Sequence, residues 1–337
     1  MNTARSLAVT LAALTIASAT AGMAAADDFY KGKTVTIVVG FSPGGGYDTY
    51  ARTLARHIGN HIPGNPTVIV QNMPGAGSLT AVRHLDATAP KDGTVITAFN
   101  PGQITESLTD PGKVKLKFSD YAFLGSITRD FRVCYAWHAT GIKSWQDLIK
   151  AKEFILGATA PGVSSYVNGA ILRNVFGLNV RQVVGFPGSA EQRLAIERGE
   201  LHGDCGSWSS IPGDWIAAKK INPLVRFSPV STPDMPQDIP FAGDLAKTAE
   251  QKRILAIVGA AGELGRPYIV SKEVPKERLA ILRKAFDATV RDKAFLSDAE
   301  KQRLPVNPAT GEEAEKIIAE IYDAPPDLVE KAKNAIK

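Results

Sequence analysis

Gly40-Phe41-Ser42-Pro43-Gly44 has the G-x-S-x-G spacing that lifts a nucleophilic serine onto a sharp turn between a strand and a helix. The flanks agree: Thr34–Gly40 is apolar and β-branched, and the residues after the glycines carry helical periodicity. That chemistry would be acyl transfer, an esterase with Ser42 as nucleophile. Pro43 argues against it, because the N–H after the nucleophile builds the oxyanion hole and proline has none. A phosphate loop needs a lysine after its glycines, and none follows Gly44, Gly45 and Gly46. A dinucleotide fingerprint fails at its third glycine, where Gly75-Ala76-Gly77-Ser78-Leu79 runs into Thr80. The histidines at 57, 61, 84, 138 and 202 make no tight ligand set; His57 and His61 lie one helical turn apart without an HExxH frame. No metal and no cofactor is expected.

What the glycines do supply is accessible backbone. A chain without Cβ atoms can approach a ligand closely, and free N–H groups at a helix start, at the positive end of its dipole, receive an anion. The same residues also permit a plain tight turn with Asp48 or Thr49 capping the helix. Two further strand exits share this make-up: the run from Asn72 to Ser78, and the run from Ala158 to Ser165 with its two serine hydroxyls. Three such exits point to a carboxylate held by main-chain and hydroxyl donors. Three or four bonds of ~1.5–3 kcal/mol each cover the ~8 kcal/mol of a micromolar complex, before the ordering costs that reduce the sum.

These loops need a frame that brings them together. Tyr47–Ile62 places Ala51, Leu54, Ala55 and Ile58 on one helical face, followed by a strand over Thr67–Val70, a helix carrying Leu79, Val82 and Leu85, and a strand over Val95–Phe99. This βαβαβ order predicts a parallel sheet with flanking helices, whose strand carboxyl ends form the ligand crevice. A second series repeats the plan. Strands are expected over Phe131–Trp137, Phe154–Thr159, Val180–Gly185, Leu201–Cys205 and Asn222–Phe227, with a helix over Ser189–Arg198 between the third and fourth. The C-terminal third reads as mostly helix. The expected fold class is α/β with two lobes, each a mostly parallel sheet with flanking helices. Residues 27–128 and 228–337 would form the first lobe and residues 129–227 the second, with crossings near 126–133 and 224–232 and a cleft between.

Residues 1–26 read as a secretory signal peptide: Arg5, an apolar stretch from Leu7 to about Ile16, and the small residues Ala24-Ala25-Ala26. Removing Arg5 with that leader leaves 38 basic against 34 acidic residues, a net +4 with no basic block interleaved with aromatics. Nucleic acid is not an expected partner, whereas an anionic solute suits the mild positive bias. Cys134 and Cys205 lack metal-type spacing; in an oxidising compartment they form either one disulfide or two buried thiols.

Four segments together resemble the Bug family, the substrate-binding proteins of tripartite tricarboxylate transporters. They are FSPGGGYDTYARTLARHI, VIVQNMPGAGSLTAVRHL, the APKDGT turn, and GRPYIVSKEVPKERLAILRKAFDATVRDKAFL. The likeness runs in order along nearly the whole chain after residue 26. The resemblance implies a periplasmic, monomeric, non-catalytic two-lobed binding protein of the Venus-flytrap type (type II-like), which delivers a small organic acid anion to membrane permease subunits. It implies first-lobe contacts from Phe41, Ser42, Pro43, Gly44, Gly45 and Gly46 with Asp48, and from Gly75, Ala76, Gly77 and Ser78. Second-lobe contacts would come from Ala160, Pro161, Gly162, Ser164, Ser165 and Tyr166, from Phe186, Gly188 and Ser189, and from His202 and Asp204. His202 stands where many members carry an aspartate, and Tyr166, Phe41 and Trp208 would suit an aromatic or bulkier acid. Two other readings remain beside this one: the Ser42 esterase, now as a secreted enzyme, and a periplasmic carboxylate sensor subunit not used for transport.

Overall fold

β1 (Thr34–Val39) sits between two parallel partners, because a strand of Val and Ile buried on both faces needs cover on both edges. Its neighbours are β2 (Thr67–Asn72), in register Thr34 to Thr67, and β3 (Val95–Ala98), in register Thr36 to Val95. This computed structural model describes residues 29–337, so the signal peptide expected over residues 1–26 lies outside the described residues.

The first sheet then changes direction. β4 (Tyr121–Ser126) ends its first pass. In the second sheet, β5 (Val133–Trp137) runs antiparallel to β8 (Gly203–Asp204) and β9 (Ile221–Arg226), while β6 (Phe154–Ala158) runs parallel to β7 (Val180–Val184) and β8. The chain returns to the first sheet with β10 (Pro267–Ser271), which inserts antiparallel between β3 and β4, and with β11 (Ala309–Thr310) on the edge. The orders are β11-β4-β10-β3-β1-β2 and β7-β6-β8-β5-β9. Both sheets are therefore mixed, with a parallel half on the side where the glycine-rich loops emerge.

Five helices matter for the site. α1 (Gly46–Ile58) buries Tyr50, Ala51, Leu54 and Ile58 against the first sheet. α2 (Ser164–Asn174) follows β6 and α3 (Ser189–Glu197) follows β7. α4 (Ala249–Ala260) opens with a reciprocal Thr248–Gln251 capping box, and α5 (Pro326–Ala335) ends the chain. Val167 and Ile171 of α2 share one apolar cluster with Ile254, Ile257 and Val258 of α4 and Ala332 of α5. Residues 242–255, expected in the first lobe, also send Ala242 into the second-lobe core, with Leu245 and Leu255 packed against it. The late chain thus braces both lobes instead of returning cleanly at residue 228.

β5 and β8 lie in antiparallel register, Tyr135 opposite Asp204, which sets Cys134 beside Cys205. The two are disulfide-bonded and fully buried. Among the described residues no helix is long and apolar enough to cross a membrane. No group of three His, Cys, Asp or Glu among them could hold a metal ion.

Candidate functional site

Three helices start at one place. α1, α2 and α3 have Gly45, Val163 and Gly188 as N-caps, and none of these makes a side-chain capping bond. Their first residues, Gly45, Gly46, Val163, Ser165 and Ser189, line a cavity of about 60 Å³ between the lobes. Each uncapped start leaves N–H groups without intrahelical partners at the positive end of a helix dipole. Two hydroxyls in the same wall, Tyr47 Oη and Thr159 Oγ1, are buried without a hydrogen-bond partner among the described residues. Burial raises the Tyr47 phenol well above its usual range, so it stays a donor at neutral pH. The wall therefore offers donors from both lobes and suits an acceptor-rich, negatively charged guest.

The glycine loop has its composition because the lobes touch there. A Cβ on Gly45 would lie 2.8 Å from Ser189 Oγ, and one on Gly46 would lie 2.3 Å from Ser210 Oγ. Gly44 adopts φ +81°, a left-handed conformation open to glycine. Across the cleft, Ser42 Oγ donates to Glu191 Oε2 at 2.8 Å, Ser42 N–H to Pro187 O at 3.3 Å, and Arg193 Nη2 to Gly44 O at 2.9 Å. Ser42 is a clasp in this geometry: its hydroxyl donates to a carboxylate, and among the described residues no imidazole is bonded to it. Phe41 stacks on Tyr47 at 4.7 Å, forming an aromatic side to the cavity.

Asp48 stands behind the loop. It accepts from Gly44 N–H, Arg52 and Asn72, and Asn72 also donates to Phe41 O. Burial pushes its carboxyl up, but these hydrogen bonds outweigh that and hold it below the usual carboxylate range. It shapes the loop; it does not line the cavity.

Several residues that the resemblance implied as contacts lie elsewhere. Ser78 is fully buried and its Oγ accepts from Asn100 N–H, while Gly77 packs under Val163 and Gln103. The run from Gly75 through Ala76 to Ser78 thus supports the cleft wall from below. Gly162 and Ser164 meet the first lobe directly, at Glu106 and at Asn100 Oδ1, and Ala160 abuts Gly77. Gly188 approaches Ser42 too closely to carry a Cβ, and Phe186 packs on the second-lobe core. Pro161 and Tyr166 line a separate hollow with Lys113 and Lys333. Trp208 is core, with Nε1 donating to Asp234. His202, just before β8, accepts at Nδ1 from Ile155 N–H on the neighbouring strand and does not line the cavity. Asp204, two residues on, is the acid in the cavity wall.

Asp204 is 8% exposed and accepts from Cys205 N–H at 2.7 Å. Burial raises its carboxyl to about 6, against the lowering effect of that N–H and of Arg193. Since the folded value lies above the unfolded 3.8, Asp204 adds stability below that value and loses it as pH rises through about 6. Asp204→Asn is expected to stabilise the protein by ~1–3 kcal/mol at pH 8 and not at pH 4. Urea unfolding at the two pH values checks this; equal gains at both would show that Asp204 is not the titrating group.

Arg266, which the reading of the residues passed over, is the largest charged feature near the site. It is 1% exposed, lies 4.4 Å over the Tyr47 ring, and donates to Ser207, Ser209 and Ser210. Asp130 Oδ1 is 3.9 Å away, and Asp130 Oδ2 takes Arg132 Nε at 2.8 Å. Two guanidinium groups share one carboxylate, leaving a buried net +1 behind Gly46 and Ser210. Its only sequence trace was the Gly265-Arg266-Pro267 segment quoted for the resemblance.

No protein-family model matches the chain. Its sequence is 26% identical over 178 residues to the UPF0065 protein in the TAR-I ttuE-ttuC' intergenic region of Agrobacterium vitis, 51% of either chain. It is 43% identical over 91 residues to Protein BugT of Bordetella pertussis, 26% of this chain and 25% of that one. The chain thus spans about half the length of one curated relative and a quarter of the other. The fold agrees over a longer range: the periplasmic binding protein BugD matches with a TM-score of 0.74 at 20% identity, over 91% of this chain and 98% of that one. The chain is thus similar to Bug proteins in sequence over part of its length and in fold over most of it. Two other solved structures that share this fold hold ligands. MatC of Rhodopseudomonas palustris with bound malate matches at TM-score 0.71 and 16% identity, over 90% of this chain and 99% of that one. An R. palustris protein with adipate matches at 0.71 and 18%, over 89% and 97%.

Proposed function

We propose that this chain is a periplasmic solute-binding protein that closes on a small organic carboxylate and hands it to the permease of a tripartite tricarboxylate-type transporter. The observation that carries the reading is the convergence of three uncapped helix starts, drawn from both lobes, on one cavity with two unpartnered hydroxyls. The buried positive charge behind that wall favours an anion further. The malate- and adipate-bound neighbours support the same class of guest. Gly45 and Gly46 would hold one end by backbone N–H groups, with Tyr47 Oη beside them. Ser165, Ser189 and Thr159 Oγ1 would hold the other. Asp204, neutral below about pH 6, would donate to the acid or accept from a hydroxyl on it. Rotation of the lobes about the residue 127–132 and 227–230 crossings would open and shut the cleft.

Calorimetry against mono- and dicarboxylates is expected to find a binder. Gly45→Val, whose side chain would strike Ser189, should weaken that binder at least tenfold, or ~1.4 kcal/mol. A silent panel would remove the carboxylate reading, and unchanged affinity in a folded Gly45→Val protein would remove the glycine loop from the site. Delivery is tested by growth on the identified acid: loss of the chain should abolish it if transport depends on it.

A further inference from the structure

A second hollow of about 470 Å³ shares no lining residue with the cleft. It is bounded by residues 129–132 and 227–230, the two crossings between the lobes, and by α4 with the turn at Gly262. Most of its wall is apolar, from Phe131, Ile171, Phe227, Phe241, Leu255 and Val258. Its size falls in the ~300–1,000 Å³ range of small-molecule sites, and its composition, a hydrophobic surface with few polar groups, is typical of them.

One polar group in that wall is unfinished. Arg132 is 4% exposed, its Nε is spent on Asp130, and its Nη2 is buried without a partner among the described residues. Lys252 stands exposed among the lining residues. Of the acids lining the hollow, Asp130 is held by Arg132 and Arg266, Glu263 is paired with Arg129 at 2.5 Å, and Asp244 is exposed. A buried guanidinium donor beside a long apolar surface matches a molecule with one anionic end and a hydrocarbon body.

We infer that this hollow is a second binding site, for a monocarboxylate with an apolar tail, whose carboxylate sits at the Arg132 end. A guest there would touch both segments about which the lobes turn. The site does not depend on what the cleft binds.

Octanoate titrated into the chain by calorimetry tests it. Gly259 lines the hollow, and a Cβ there meets nothing within 4 Å, so Gly259→Leu adds apolar bulk at the wall without a Cβ clash and favours the helix. Wild type is expected to bind octanoate, Gly259→Leu to bind it at least tenfold more weakly, and uncharged octanol to bind wild type at least tenfold more weakly than octanoate. Gly45→Val should bind octanoate as wild type does. The proposal is overturned if wild type gives no octanoate binding, if Gly259→Leu binds it equally, or if octanol matches it. Loss of octanoate in Gly45→Val would also overturn it, by placing octanoate in the cleft, whereas loss of dicarboxylate binding there bears on the cleft alone.

Discussion

Arg266→Met is expected to lower stability by ~1.5–3 kcal/mol and to weaken carboxylate binding in the cleft more than any single glycine change there. The reason is the loss of buried partners: Arg132 still balances Asp130, but the carboxylate loses its second guanidinium and three serine hydroxyls lose their donor. Asp130 is buried between Arg132 and Arg266, with Ser207 Oγ as a third partner. Burial pushes the Asp130 carboxyl up, while Arg132, Arg266 and Ser207 pull it lower, and the net direction is down. Methionine keeps the volume and removes one of the cations that make ionisation acceptable. A depressed carboxyl contributes stability above its unfolded value of 3.8 and loses it only as pH falls below that, so the damage should be greatest at pH 7 and shrink toward pH 2. Arg266→Lys keeps the charge without the fork that reaches three serines at once, and should fall between the two. Urea unfolding of the three proteins at both pH values decides it. A loss below 1 kcal/mol at pH 7 would mean that Asp130 does not need Arg266, and the buried positive charge would then have no structural hold on the cleft.

The double change Cys134→Ala with Cys205→Ala should remove ~4 kcal/mol, the chain-entropy value for a loop of about this size, the two cysteines being separated by 71 positions. The bond joins β5 to the end of β8, a strand of only two residues with few ladder bonds of its own. Asp204 belongs to β8 and Gly206 follows it into the cavity wall. Loosening this corner should therefore also return the Asp204 titration toward the ordinary carboxylate range, followed by NMR of the labelled carboxyl. Unchanged unfolding in urea would show that antiparallel pairing with β5 holds β8 unaided.

Much of the frame was legible because its signals are local. β1, α1, β2 and β3 announce themselves by alternation of period and by glycine at the exits, and the structure has strands and a helix at those places. β4 and β10 were not read. Their partners lie more than 100 residues apart in sequence, and insertion of β10 between β3 and β4 is what turns a parallel sheet into a mixed one. A strand that completes a sheet from the far end of the chain has no neighbour in sequence to predict its direction.

The site divided along the same line. Glycine and serine at strand exits follow from residue type alone, since only a Cβ-free backbone tolerates the approach of Gly45 to Ser189 or of Gly46 to Ser210. Which of those loops face the guest did not follow. The run 75–78 has the right composition and is used as a foundation, while Tyr47, Thr159 and Arg266 carry unspent donors or charge without any pattern to mark them. His202 and Asp204 differ by two positions, and strand alternation alone would put them on one face; the tertiary contacts separate them, His202 being tied to Ile155 N–H and Asp204 lying in the cavity wall. Short-range covalent and steric preferences thus determined the elements and their flexible exits. The convergence of donors and charge was decided by packing between residues far apart in sequence, because desolvation and Coulomb energy depend on distance in space.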